Sequence, residues 1–269
     1  MPVRNFVGRW RRRELRAEEI RRLTYAKRRD RQLVDALRRG LVASGSHDVT
    51  ITALGGHTIQ LRAGTSDAQV AHATFVGTYH LPPPEAGDQP RVIYDLGANI
   101  GLTLAHYAHL FPDARVVGVE LDPGNAELAR GAVFPWASRC VVIDGAVWTS
   151  DGTIEYMLEP GDEHGAHVLG DGEVAVNRNG RGPVRRRAAA HSLNSLLENE
   201  RAVDFVKMDI EGAERDVLRT STEWSSKVRS MKIEVHEPYT VDQCAQDLRR
   251  LGFRTRPDGR HWASVVAFR

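Results

Sequence analysis

The sequence is poor in cysteine. Its two thiols, Cys140 and Cys244, make no disulfide framework and lack the spacing of a thiolate metal site. It has no apolar run long enough to span a bilayer. Nor does Met1-Pro2-Val3-Arg4-Asn5-Phe6-Val7 offer the apolar core of a secretion signal ahead of its charges. These absences together predict a cytoplasmic protein. A G-x-G-x-x-G phosphate fingerprint is missing as well. Where one would fall, its three positions hold Gly97, Asn99 and Leu102, and a side chain at the middle position would collide with a pyrophosphate.

With 269 residues, 41% of them hydrophobic, the chain can bury a substantial core, enough for one large α/β domain with additions. Net charge is only +2, but residues 1–40 carry 14 Lys/Arg against 5 Asp/Glu, a surplus of +9, which leaves −7 on the remainder. A basic arm of this kind suits anionic partners. Within it Ile20, Leu23, Leu33, Leu37 and Leu41 recur at roughly helical spacing, which predicts an amphipathic extension that docks on the core or on a second copy. Residues 1–45 are read as this arm.

Residues 46–90 read as a small layer. Val49–Ala53 and Thr58–Leu61 alternate around Gly55-Gly56, a hairpin signature, and Ala68–Tyr79 reads as a helix. The Pro-rich run Leu81–Pro90 is a linker by composition. Such a layer could cover a ligand pocket, bringing His72, Tyr79 and His80 near it.

Residues 91–269 form the main domain. Val92-Ile93-Tyr94-Asp95-Leu96 reads as a buried strand that ends in the turn Gly97-Ala98-Asn99-Ile100-Gly101, with a helix from Leu102. Asp95 lies at the carboxyl end of its strand, the edge at which open α/β sheets bind ligands. The helix N-terminus suits an anion such as a carboxylate. A second strand, Arg115–Glu120, ends in Glu120-Leu121, where a carboxylate can accept from both hydroxyls of a ribose. A third, Cys140–Ile143, ends in Asp144-Gly145-Ala146, placed to meet the edge of an adenine ring. Thr153–Met157 is an added strand. Residues 159–190 read as polar loops, with His164 and His167 as candidate acid/base groups.

Val203–Asp209 is the next sheet strand, and Asp209 ends it beside the glycine turn. Glu211 and Glu214 suit the start of the following helix. In the strand that follows, Met231, Ile233 and Val235 alternate with Lys232, Glu234 and His236, so the polar three share one face. A helix over Val241–Leu251 and a closing strand over Trp262–Phe268 complete the chain.

Three blocks carry a family resemblance: Tyr94–Gly101 (D-x-G-x-N-x-G), Val206-Lys207-Met208-Asp209-Ile210-Glu211-Gly212-Ala213-Glu214, and Ile233-Glu234-Val235-His236. In these the chain resembles the FkbM-type family of class I S-adenosylmethionine (SAM) methyltransferases. The likeness starts weakly near Ser66-Asp67 and reaches the C-terminus, leaving the arm outside. Leu121 stands where the family usually has proline, and Leu193-Asn194 replaces its usual Leu-Asp pair. The resemblance implies a Rossmann-like sheet of seven strands with the last antiparallel. It also implies S-adenosyl-L-methionine as cofactor, with Asp95, Gly97, Ala98, Asn99, Gly101, Glu120, Leu121, Asp144, Gly145, Ala146 and Asp209 around it. The implied activity is O-methylation of a small-molecule hydroxyl, often on a sugar or another natural-product scaffold.

For the proton that such a hydroxyl must lose, His236 and Glu234 are the candidate bases, beside Asp209. The same three residues offer a second mechanism, in which a divalent metal orients a diol and lowers its pKa. Two rival functions stay open. One is an RNA ribose methyltransferase using the basic arm. Methylation of base amino groups is disfavoured, because Asp209-Ile210-Glu211-Gly212 replaces the Asn/Asp-Pro-Pro-aromatic run such enzymes carry. The other is a protein that binds SAM without turnover. The helical arm makes a homodimer plausible.

Overall fold

The computed structural model describes residues 3–159, 162–168 and 184–269; the side chains of 3–13, 157–159, 162–168 and 184–185 are outside the description. The chain divides into two compact units, Met1–Tyr79 and His80–Arg269.

In the first unit, helices α1 (Val3–Thr24) and α2 (Arg28–Arg38) precede a hairpin of β1 (Ser46–Ile51) and β2 (His57–Arg62). The hairpin is antiparallel and pairs Val49 with Ile59, as the alternation predicts. Helix α3 (Asp67–His72) runs into a wider turn over Ala73–Gly77. Asp67 is buried and accepts from the Arg62 amide at 2.8 Å, while the Arg62 guanidinium grips both its oxygens at 2.8–2.9 Å. The apolar spacing of the arm is only partly used. Val34 and Leu37 are buried, but Ile20, Leu23 and Leu41 are exposed. The chain leaves the helix at Tyr25-Ala26, so the period does not carry through from α1 to α2.

The second unit is built on a seven-stranded sheet in the order β12-β13-β11-β10-β3-β4-β5. Its strands are β3 (Val92–Leu96), β4 (Arg115–Glu120), β5 (Cys140–Asp144), β10 (Phe205–Met208), β11 (Ser230–Glu234), β12 (Arg254–Pro257) and β13 (Ser264–Phe268). From β11 to β5 every pairing is parallel; β13 is antiparallel to both its neighbours. The expected closing strand thus stands, with one further edge strand, β12, beside it.

The central strands are mostly apolar because both faces are covered, with Asp95, Lys207 and Lys232 the charged exceptions within them. Helix α4 (Leu102–Leu110) is buried over Leu102–Ala108, on all sides rather than along one stripe. Helix α5 (Pro123–Ala132) starts with Pro123 behind an Asp122 cap that accepts from the Asn125 amide at 2.9 Å. Helix α8 (Val241–Arg250) carries a full capping box between Thr240 and Gln243.

A second sheet, in the order β6-β9-β7-β8, corrects the expectation of loops over 159–190. It comprises β6 (Ala146–Trp148), β7 (Gly152–Glu159), β8 (Asp162–Val168) and β9 (Val184–Ser192). The short helices α6 (Leu193–Leu196) and α7 (Glu214–Arg219) complete the element list. Polar strands carry no hydrophobic alternation to announce them; here β7 and β9 are held by their ladder and by Glu155–Arg187 at 2.8 Å. The side chains of His164 and His167, like residues 169–183 of the expected basic loop, lie outside the described residues. Among the described residues no helix is long and apolar enough to cross a membrane.

Candidate functional site

Strand order reverses between β3 and β10, since the chain proceeds to β4 and β5 on one side and from β10 to β11 on the other. At such a switch point the loops leaving the strands splay apart and open a crevice at their carboxyl ends. The residues picked out by sequence gather there in two clusters.

The first surrounds the turn after β3. Its backbone amides are all used internally. Those of Gly97 and Ala98 both donate to the Val119 carbonyl at 3.0 Å, and Asn99 donates to Glu120 Oε2 at 2.7 Å. The Ile100 amide donates to Asn99 Oδ1 at 2.6 Å, and that of Gly101 to the Ala98 carbonyl at 2.9 Å. Gly97 has φ +82°, and a Cβ there would lie 1.8 Å from the Asp209 carbonyl oxygen. Its demand for glycine thus comes from the backbone of β10. At Gly101 a Cβ would stand 2.6 Å from Ala129 Cα, so the start of α4 can lie against α5 only without one.

Glu120 is buried at the end of β4. Besides the Asn99 amide it accepts from Asp122 N–H at 2.9 Å. The Asn125 side chain donates to it as well; a carboxylate has about four acceptor sites, so about one remains. Burial carries its carboxyl up to about 7, against the pull of those two backbone amides. Leu121 packs with Ala146 and Ile154. Asp144 pairs with Arg130 at 2.7 Å, and Gly145 donates to the Glu120 carbonyl at 2.9 Å.

Asp95 stands apart from the crevice. It is fully buried beneath the turn, accepts from Thr103 Oγ1, and lies 3.3 Å from Lys207 Nζ. Burial raises its pKa and Lys207 opposes the rise. Its place corrects the expectation of a ligand-facing strand end: the alternation of β3 turns its side chain into the protein, where it braces the turn.

The second cluster joins β10, β11 and the loop before α7. Asp209 Oδ1 lies 3.7 Å and Glu211 Oε2 3.4 Å from His236 Nε2. The other ring nitrogen, Nδ1, lies 2.8 Å from Glu214 Oε1. Glu214 has 0% exposure and also accepts from the Ile210 and Gly212 amides at 3.3 and 3.1 Å. Glu234 Oε1 is 3.7 Å from His261 Nε2. Burial and then Asp209 carry Glu211 up to about 7, and the same two causes raise Glu234. Burial would weaken proton binding at His236, but Glu214, Glu211 and Asp209 reverse this and bring it up to about 9. The three carboxylates thus favour the charged form of its imidazole.

Three members of this site carry little sequence signal of their role. Lys207 sits inside an apolar strand, yet its amine bridges Asp95 and Asp209 at 3.3 and 3.2 Å. Glu214 reads as a helix-start acid and proves to be the partner of His236. His261 comes from the loop between β12 and β13. His80, expected near a pocket, is buried with its Nε2 3.0 Å from His106 Nδ1.

Residues 95–255 match the model of the methyltransferase FkbM domain. A tRNA1(Val) (adenine(37)-N6)-methyltransferase of Porphyromonas gingivalis is 40% identical over 75 residues, 27% of this chain and 29% of that protein. The 2-O-methyltransferase NoeI of Sinorhizobium fredii is 26% identical over 65% of this chain and 72% of its own length. Among solved structures, Aeropyrum pernix fibrillarin with bound S-adenosyl-L-methionine superposes with a TM-score of 0.41 at 14% identity, covering 84% of this chain and 97% of that one. The family match spans more than half of the chain and takes in the glycine turn, Glu120 and the stretch from Asp209 to His236: the chain belongs to the methyltransferase FkbM domain family.

Proposed function

We propose that this protein transfers a methyl group from S-adenosyl-L-methionine to a hydroxyl oxygen of a small polar acceptor, such as a sugar or another natural-product scaffold. One observation carries the choice of cofactor. The five amides from Gly97 to Gly101 are already bonded within the fold, so none is left to cradle a pyrophosphate. A ligand with a ribose but no pyrophosphate fits, because Glu120 keeps acceptor capacity beside that turn for a ribose hydroxyl. The name of NoeI as a 2-O-methyltransferase supports an oxygen acceptor.

Glu120 would hold a ribose hydroxyl. The turn Gly97-Ala98-Asn99 would border the amino-acid portion, Leu121 would flank the purine, and Asp144-Gly145-Ala146 would meet its edge. Bound there, S-adenosylmethionine supplies a methyl carbon made electrophilic by its sulfonium. Asp209, joined through Gly97 to the turn, sits between this pocket and the second cluster. Holding donor and acceptor in line contributes roughly 7–11 kcal/mol to such a displacement. The acceptor proton goes to a carboxylate. Glu211, near 7, is matched to that task at neutral pH, and a placed base contributes about 10²–10⁴-fold. His236, with Nε2 3.7 Å from Asp209 and 3.4 Å from Glu211, helps to keep the two carboxylates in place.

Incubating the protein with methyl-labelled SAM and a cell extract tests the reading, with label followed into small-molecule, RNA and protein fractions. Glu120→Gln is the control; Asp95→Ala would instead remove a buried brace. Label in the small-molecule fraction, lost in the control, is the expected result. Label confined to RNA would overturn the acceptor class, and SAM binding without transfer would leave a binding protein.

A further inference from the structure

We infer that Asp209, Glu234 and His236 form a binding site for one divalent cation of the Mn²⁺/Mg²⁺ type, placed to hold the oxygens of the methyl acceptor. The inference rests on the methyl-transfer reading for its purpose, but not for its geometry. One ligand atom from each residue can be chosen so that all lie within 4.8 Å of one another. Oxygen ligands about 2.1 Å from a magnesium-sized ion sit roughly 3.0 Å apart when adjacent and 4.2 Å apart when opposite. The 3.7 Å between Asp209 Oδ1 and His236 Nε2 falls in that interval.

The histidine sets this group apart from a patch of surface acids. Its Nδ1 is fixed at 2.8 Å by Glu214, which has no exposed surface and is itself anchored by two backbone amides. That arrangement fixes the ring's orientation and aims Nε2 at Asp209 and Glu211. A buried carboxylate holding the far nitrogen of an imidazole is the usual support of a metal-ligating histidine. The charge balance points the same way. Among the described residues the five carboxylates of Asp95, Asp209, Glu211, Glu214 and Glu234 face three basic groups, Lys207, His236 and His261, and Lys207 is shared between Asp95 and Asp209.

One imidazole among carboxylates suits a hard or borderline ion that prefers six ligands, rather than a thiolate-seeking one. Three protein ligands leave three positions open. Two neighbouring acceptor oxygens fill a pair of these, so the preferred acceptor is a vicinal diol or an equivalent chelating pair. Glu211, not needed as a ligand, remains to take the proton.

Chelator-treated full-length protein titrated with MnCl₂ and followed by the paramagnetic resonance of free Mn²⁺ tests the site. One ion per chain is expected, with a ¹⁴N coupling from the imidazole. Asp209→Asn and His236→Gln should each weaken binding at least tenfold, Glu214→Gln by about 10–100-fold, and Glu198→Gln, at an exposed position, not at all. The wild-type nitrogen coupling needs no variant, so a misfolded mutant cannot obscure the result. No binding at millimolar Mn²⁺, or a bound ion without nitrogen coupling, overturns the inference. SAM binding measured in chelator separates the two readings: binding and transfer there without metal sink this site alone, whereas loss of SAM binding with Mn²⁺ still taken up sinks the methyl-transfer reading alone.

Discussion

Replacing Lys207 by methionine keeps the length and apolar stem of the side chain and removes its charge. The ammonium is 4% exposed, 3.3 Å from Asp95 and 3.2 Å from Asp209. At an effective dielectric constant of 20 each contact is worth about 5 kcal/mol before desolvation. The net effect of removing one partner of a buried pair is about 3–5 kcal/mol, because Asp95 would be left charged and enclosed. That corresponds to a fall in melting temperature of roughly 6–20 °C at about 2–4 °C per kcal/mol. Asp95 already binds its proton more tightly than a free aspartate, and losing Lys207 moves it further that way. A raised carboxyl pKa contributes stability below the unfolded value and loses it as pH rises through the folded one. The deficit of Lys207→Met should therefore be largest at pH 7.5 and shrink towards pH 5. Adding Asp95→Asn should restore at least half of the loss. Urea denaturation of the single and double variants at both pH values measures this. A single variant within 1 kcal/mol of wild type at pH 7.5, or no recovery in the double, would refute the bracing role given to Lys207.

Gly97→Ala, with its Cβ 1.8 Å from the Asp209 carbonyl oxygen, should push β3 and β10 apart at their ends; isothermal titration should show SAM affinity down about 100-fold or more, a loss of roughly 2.7 kcal/mol. With Glu120 holding the SAM ribose as proposed, Kd should rise about tenfold per pH unit below 7 and level off above it, and Glu120→Gln should abolish that slope in equilibrium dialysis. Asp67→Asn keeps the shape of the side chain but not its charge, and should cost the first unit about 1.5–3 kcal/mol, read as faster hydrogen exchange at the Arg62 amide.

The main sheet was legible because its strands are buried on both faces. Val92–Leu96 and Phe205–Met208 are near-continuous apolar runs, and the glycines and acids that end them stand where the chain turns. What failed to show were elements whose stability comes from a neighbour. The sequences of β8 and β9 carry no regular apolar alternation, and β12 is the four-residue edge Arg254–Pro257, too short to leave a pattern. The site was readable as a set of strand ends but not as a set of partners. Period two places Glu234 and His236 on one face, and the ends of β10 and β11 meet as expected. That Glu214 would turn back to grip His236 depends on the left-handed backbone at Glu211 (φ +53°), which no residue preference announces. The same limit hid the proton affinity of His236: a base is recognisable by type, but that affinity is set by Asp209, Glu211 and Glu214, which the segment after β10 folds around the ring.

The contact between Gly97 and the Asp209 carbonyl also bears on how such proteins can be recombined. A hundred residues of chain separate the two positions, yet the hydrogen that replaces a side chain at one is the space filled by the backbone of the other. A crossover placed between them would draw the turn from one parent and the acidic strand end from another. Small differences in where each backbone runs would then meet at the tightest point of the crevice. Chimeras that inherit both segments together should keep a working donor pocket, while the polar β7–β9 sheet offers a place to exchange sequence without disturbing it.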